Sequence, residues 1–188
     1  MAAVGFSVLL EGPGALAVGP DAGATTPPAG AYVLGPKVAR TLGFPVTLRP
    51  AKTTAATGVK GCTTAIDAVY LDREKQTGLV SEVVNCRSST AAAGAVATVR
   101  KRFPTDPSIP VPKSLGTGAF GTSSDAPQYL LIWRTGPHVG FTAFDTDIPA
   151  STSTTSTTGV LPAITTAQKM VLGKAALAQR ALDLHLAG

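Results

Sequence analysis

The chain has 188 residues and a mass of 18.9 kDa, with 20 glycines, 15 prolines, 14% charged residues, 5% aromatic residues and a mean hydropathy of +0.24. This length favours a single domain, and the scarcity of charge excludes both a charge-rich disordered chain and a coiled coil. Lys and Arg number 16 against 11 Asp and Glu, a net charge of +5. The one basic cluster, Arg100-Lys101-Arg102, stands at an expected helix end, where cations complement the helix dipole. No aromatic residues interleave it, so nucleic acid is not an expected partner.

In chain order, residues 1–31 read as a leader remnant and linker. Ala2 to Leu10 is an apolar run of signal-peptide length, and Ala15-Leu16-Ala17 fits a small-x-small cleavage pattern, although the basic n-region is missing and Glu11 interrupts the run. Gly19 to Ala31 is rich in Pro, Gly and Thr, as a linker would be. Residues 32–188 are then one domain, and no apolar stretch of about 20 residues is present to cross a membrane.

The domain opens with an expected short helix, Pro36 to Leu42, stopped by Gly43. A short strand is expected at Val46 to Leu48, ended by Pro50. Two β-rich runs, Ala65 to Leu71 and Leu79 to Val84, flank a polar turn and read as a hairpin. Folding it about residue 74 or 75 sets Cys62 opposite Cys86, close enough for a disulfide. Two buried free thiols are the alternative; a disulfide implies an oxidising compartment. No CxxC pair or His spacing suggests a metal site.

Ser88 and Ser89 are N-cap candidates for a helix from Thr90 to Arg102, with Ala92, Ala95, Val96 and Val99 on one side. After a Pro-rich loop, Ala119 to Thr122 is a possible short strand. Tyr129 to Arg134 (YLLIWR) is the strongest strand, and its unbroken apolar character implies burial on both faces. Val139 to Asp145 returns antiparallel to it. Ser151 to Thr158 (STSTTSTT) reads as a solvated loop or as a carrier of O-linked sugars. A last helix runs from Thr166 to Leu186, opened by the capping box Thr165-x-x-Gln168, with Met170, Val171, Ala175, Ala178, Leu182 and Leu186 at helical spacing. The strand–strand–helix order occurs twice. It fits an α+β fold in which an antiparallel sheet of about five strands carries its helices on one face.

Signatures of chemistry are weak. Gly116-x-Gly118-x-x-Gly121 matches the dinucleotide fingerprint literally, but prolines precede it and a turn rather than a helix follows. The glycines read as turn formers. His138 with Asp145 or Asp147 and a serine has no nucleophile elbow around it. Asp145 and Asp147 share one strand face, which does not suit a sugar cleaved between two opposed carboxylates. His185 falls near the end of the last helix, where a cation complements the dipole.

The order Cys62…AVYLD…GLVSEVVNC, an Ala-rich helix (STAAAGAVATVRKRFP), LGTGAF, QYLLIWRTGPHVGFTAFD and an Ala/Leu helix resembles small exported actinobacterial lipoproteins of mycobacterial type. It is also similar to the extracellular sensor domains of some mycobacterial serine/threonine kinases. The resemblance spans Gly61 to Leu186 and implies an antiparallel sheet flanked by helices, a disulfide and a ligand cleft. Two departures stand out: those sensor domains carry more than one disulfide, and no lipobox cysteine is visible here.

The expectation is therefore an exported, secreted or cell-envelope domain that binds without catalysis and without a cofactor or metal. Its ligand would be apolar or amphipathic, or a protein partner, held between sheet and helices, with association to a membrane surface left open. Trp133, Phe141 and Phe144 are the aromatic candidates to line the site, with His138 in the adjoining turn. The alternatives are a hydrolase of unrecognised type and a structural subunit of an envelope assembly.

Overall fold

The computed structural model describes residues 28–123, 128–145 and 164–187. The leader-like run, most of the linker, Asp147 and the Ser151 to Thr158 segment lie outside the described residues. The elements are α1 (Pro36–Thr41), β1 (Val46–Ala55), β2 (Cys62–Asp72), β3 (Thr77–Cys86), α2 (Ser89–Arg102), β4 (Phe120–Ser123), β5 (Gln128–Thr135), β6 (His138–Asp145) and α3 (Thr166–Ala187). The fold is α+β. Its sheet has six strands rather than about five, all antiparallel, in the order β1-β2-β3-β6-β5-β4.

β1 is longer than the short strand expected, because Pro50 does not end it. β1 is an edge strand, where a missing backbone N–H breaks no ladder. The register slips on both sides of Arg49, next to the proline. The β2–β3 hairpin has the expected register: Cys62 pairs with Cys86, and the two form a disulfide. The hairpin turn needs one residue of positive φ, which Gln76 supplies at 52°.

The helices cover both faces of the sheet, not one. α2 packs Ala92, Ala95 and Val99 on the face carrying Val80, Val84, Leu130, Ile132 and Phe141. α3 and α1 pack on the opposite face, against Val83, Leu131, Trp133 and Phe144. Strands β3, β5 and β6 are apolar on alternate residues of both sides, and such strands are stable only when both sides are covered. The unbroken run Tyr129 to Arg134 demands this arrangement.

Both long helices begin as their sequences suggest. The Ser88 hydroxyl accepts from the Ala91 N–H at 3.1 Å. Thr165 and Gln168 close a reciprocal box, with Gln168 N–H donating to Thr165 Oγ1 (3.2 Å) and Thr165 N–H to Gln168 Oε1 (2.8 Å). On α3 the buried side is Leu172, Ala175, Ala176, Gln179 and Asp183, whereas Met170 is 58% exposed. The inward stripe is rotated from the one expected because two polar residues occupy it.

Candidate functional site

Beneath α3, a chain of hydrogen bonds crosses the layers. Leu34 N–H donates to Ser81 Oγ (2.9 Å), the Ser81 hydroxyl donates to Gln179 Oε1, and the Gln179 amide donates to the Tyr32 carbonyl and to Asp183 Oδ1 (3.1 Å). The Trp133 indole N–H donates to Asp183 Oδ2 (3.0 Å), and the Tyr70 hydroxyl donates to the Leu34 carbonyl. Every bond runs toward the Asp183 carboxylate or a backbone carbonyl. The segment Tyr32 to Leu34 is thereby pinned between sheet and helix, as a satisfied buried network does. Burial pushes the Asp183 carboxyl up to about 6, against the hydrogen bonds from Gln179 and Trp133 and the Arg180 charge. It is therefore an ionised acceptor at neutral pH.

This network consumes the polar atom of Trp133. The indole is fully buried and lies across Gly140 of β6, where an added Cβ would meet its ring at 2.2 Å. Phe144, on the same face, packs edge-on against Phe44 with centroids 5.8 Å apart. His138 is half-buried, its Nδ1 2.7 Å from Asn85 Oδ1 and its ring beside Tyr32, and burial lowers its pKa. Phe141 points to the α2 face. The four residues singled out from the sequence thus divide between two faces and do not line one groove.

On the α2 face the sequence reading missed a carboxyl. Glu82, at the centre of β3, is 6% exposed. It lines a cavity of about 10 Å³ with Val59, Val84, Ala95, Val99, Val139 and Phe141, room for about one water molecule. Across β2, Asp67 pairs with Glu82 in the register and is held by Arg49 at 2.6 Å. Burial, reinforced by the Asp67 charge and opposed by Arg49, pushes Glu82 up to about 8, so it is protonated at neutral pH. Glu82 and Asp183 each carry a sequence signal, being lone acids within otherwise apolar periodicity.

The larger opening lies outside the layers. A groove of about 390 Å³ runs between Pro110–Pro112 and the solvent side of α3, lined there by Thr166, Lys169, Met170, Gly173, Lys174 and Leu177. Its floor is apolar and its rim carries the two lysines. The Gly116 to Gly121 motif is no phosphate cradle: Gly116 and Gly118 adopt φ of 92° and 86° in turns, and Gly121 sits in β4 against Ile109. Among the described residues no cluster of His, Cys, Asp and Glu could hold a metal ion, and no helix is long and apolar enough to cross a membrane. The chain matches no protein-family model, no curated protein and no solved structure.

Proposed function

We propose that this chain is an exported cell-envelope interaction domain that binds a protein partner on the outer side of α3 and performs no chemistry of its own. The observation that carries this reading is the contrast in room. The cavity between sheet and α2 holds about one water, whereas the α3 groove offers about 390 Å³, within the range of binding sites. An apolar ligand between the layers, the other form of the binding hypothesis, loses support because Trp133 and Phe144 already fill that space. The Cys62–Cys86 disulfide and the leader-like Ala2 to Leu10 run support export. The likeness to exported actinobacterial lipoproteins and kinase sensor domains supports the same assignment.

The test is methyl chemical-shift mapping of the whole chain against a panel of peptides, glycans, fatty acids and vesicles. Shifts at Met170, Val111 and Leu177 are the expected result. Shifts confined to Val59, Val84 and Val99 would instead place a small ligand under α2. Turnover of an ester or peptide substrate that is lost in His138→Ala would replace the binding reading with a hydrolase.

A further inference from the structure

We infer that the groove between Pro110–Pro112 and α3 receives an acidic amphipathic helix from a partner protein. This rests on the docking reading above and adds the chemistry of the occupant.

Three observations converge on it. The first is spacing. Among the described side chains of α3, Met170, Leu177 and Leu184 are the exposed large apolar residues, at 58%, 37% and 50%, and they recur every seven residues. A seven-residue repeat is two helical turns, so the three form one seam about 21 Å long. Gly173 lies between the first two on the groove floor, and the Pro112 ring of the wall seats against it, 3.6 Å from where a Cβ would stand. Apolar anchors at this spacing are how a groove reads a partner helix.

The second is shape. The groove has a helix on one side and the Pro110-Val111-Pro112 segment on the other. Pro112 sits at φ −58° and ψ 129°, an extended and stiff wall. A concave site with a raised wall admits a rod better than the flat surface of a bilayer.

The third is charge. Lys169 and Lys174 line the groove, and exposed Lys113 directly follows its wall. The Arg180 guanidinium reaches the Ser114 carbonyl beside that wall. Asp106 stands within electrostatic reach of Lys169, and among the described residues no carboxylate lines the groove. A second copy of this chain, of net charge +5, would bring lysines onto lysines. A helix with carboxylates flanking its apolar stripe meets both floor and rim.

The probe is a synthetic peptide of about 20 residues, long enough for the seam, with Leu at helical spacing and Glu elsewhere, compared with its Lys counterpart. Binding to the full chain is read by fluorescence anisotropy, alongside phosphatidylglycerol vesicles and sedimentation of the protein alone. The Glu peptide should bind and weaken with salt. It should lose at least about tenfold in Met170→Glu, in Leu177→Glu and in the double Lys169→Glu/Lys174→Glu variant. The charge-reversed variant should instead take the Lys peptide. All these positions are on the surface, and circular dichroism confirms folding. Equal binding of both peptides, Glu-peptide binding unchanged in the variants, tighter binding to vesicles, or dimers through α3 would each overturn the acidic-helix assignment. If another panel member shifts the groove methyls while the Glu peptide does not, only the partner's chemistry is wrong. If nothing shifts them, the docking reading falls as well.

Discussion

The two faces of the sheet solve the same problem differently. Under α3, large aromatics and a directional hydrogen-bond chain ending on Asp183 lock sheet, helix and the Tyr32 to Leu34 segment together. Under α2, small residues (Ala92, Ala95, Val99) pack over Glu82, an acid that burial keeps neutral. On the α3 face the chain from Ser81 to Asp183 is satisfied, although the buried Thr135 and Thr142 hydroxyls of that face have no hydrogen-bond partner among the described residues, and the α2 face suppresses the charge of its own acid. Satisfied networks fix a single arrangement, whereas an isolated buried acid leaves stability dependent on its protonation. The α3 face is therefore the more tightly tied layer, and the docking surface proposed above lies on the outer side of its helix.

Removing the centre of the network should have the largest effect. Trp133→Ala should cost about 3–5 kcal/mol in urea unfolding, from the lost ring and from an Asp183 carboxylate left with Gln179 alone. Trp133→Phe should recover part of this, since it restores bulk but not the N–H. A loss below about 1 kcal/mol in the alanine variant would show that the network does not hold the layers.

Cutting the disulfide should come next. Replacing both Cys62 and Cys86 with Ser should lower stability by about 3 kcal/mol through the freed loop in the unfolded chain, with the β2–β3 register retained. Two free thiols in the non-reduced native protein, measured by mass, would remove this effect and the disulfide's support for export with it.

The α2 face should declare itself through pH. The carboxyl of Glu82 titrates near 4.5 when unfolded and is raised to about 8 in the fold. The folded state therefore holds a proton that the unfolded state has released. Stability is fully present below about pH 4.5 and falls as pH rises toward 8, with a slope approaching about 1.4 kcal/mol per pH unit. Glu82→Gln should abolish that slope and leave the variant the more stable protein at pH 8–9. Asp183, also raised, adds a smaller loss of the same sign up to about pH 6 in both proteins, so the difference between them isolates Glu82. Parallel stability profiles for the two proteins would mean Glu82 is ionised and solvated.

Much of this architecture is legible in the sequence. The Cys62–Cys86 opposition follows from hairpin register alone, and Ser88 and Thr165 announce their helices by local hydrogen-bonding chemistry. What escaped depended on tertiary context. Pro50 breaks a central strand but is tolerated at an edge, and edge position is a property of the whole sheet. The one-face placement of helices conflicted with the YLLIWR run, whose two apolar sides each need a cover. Aromatic contact area alone marks Trp133, Phe141 and Phe144 as one group, yet Trp133 spends its N–H on Asp183 and Phe141 points the other way. Glu82 and Asp183 escaped because a lone acid in an apolar stretch looks like an exposed residue until burial is known.

The smallest expected effect on stability tests the outer side of α3. Met170→Ala and Leu177→Ala remove side chains that are 58% and 37% exposed, so each should change unfolding free energy by less than about 0.5 kcal/mol. On the same helix, Leu172→Ala, at a fully buried position, should cost about 2–5 kcal/mol. The same two surface changes should weaken the acidic peptide severalfold, because apolar anchors at the centre of an interface carry much of its energy. Stability and peptide affinity should then separate on one helix, stability with the inward stripe and affinity with the outward one. A cost above about 1 kcal/mol for Met170→Ala would show that part of the chain already covers the seam in solution. The seam would then belong to the fold, and a partner helix would have to displace that cover before it could bind.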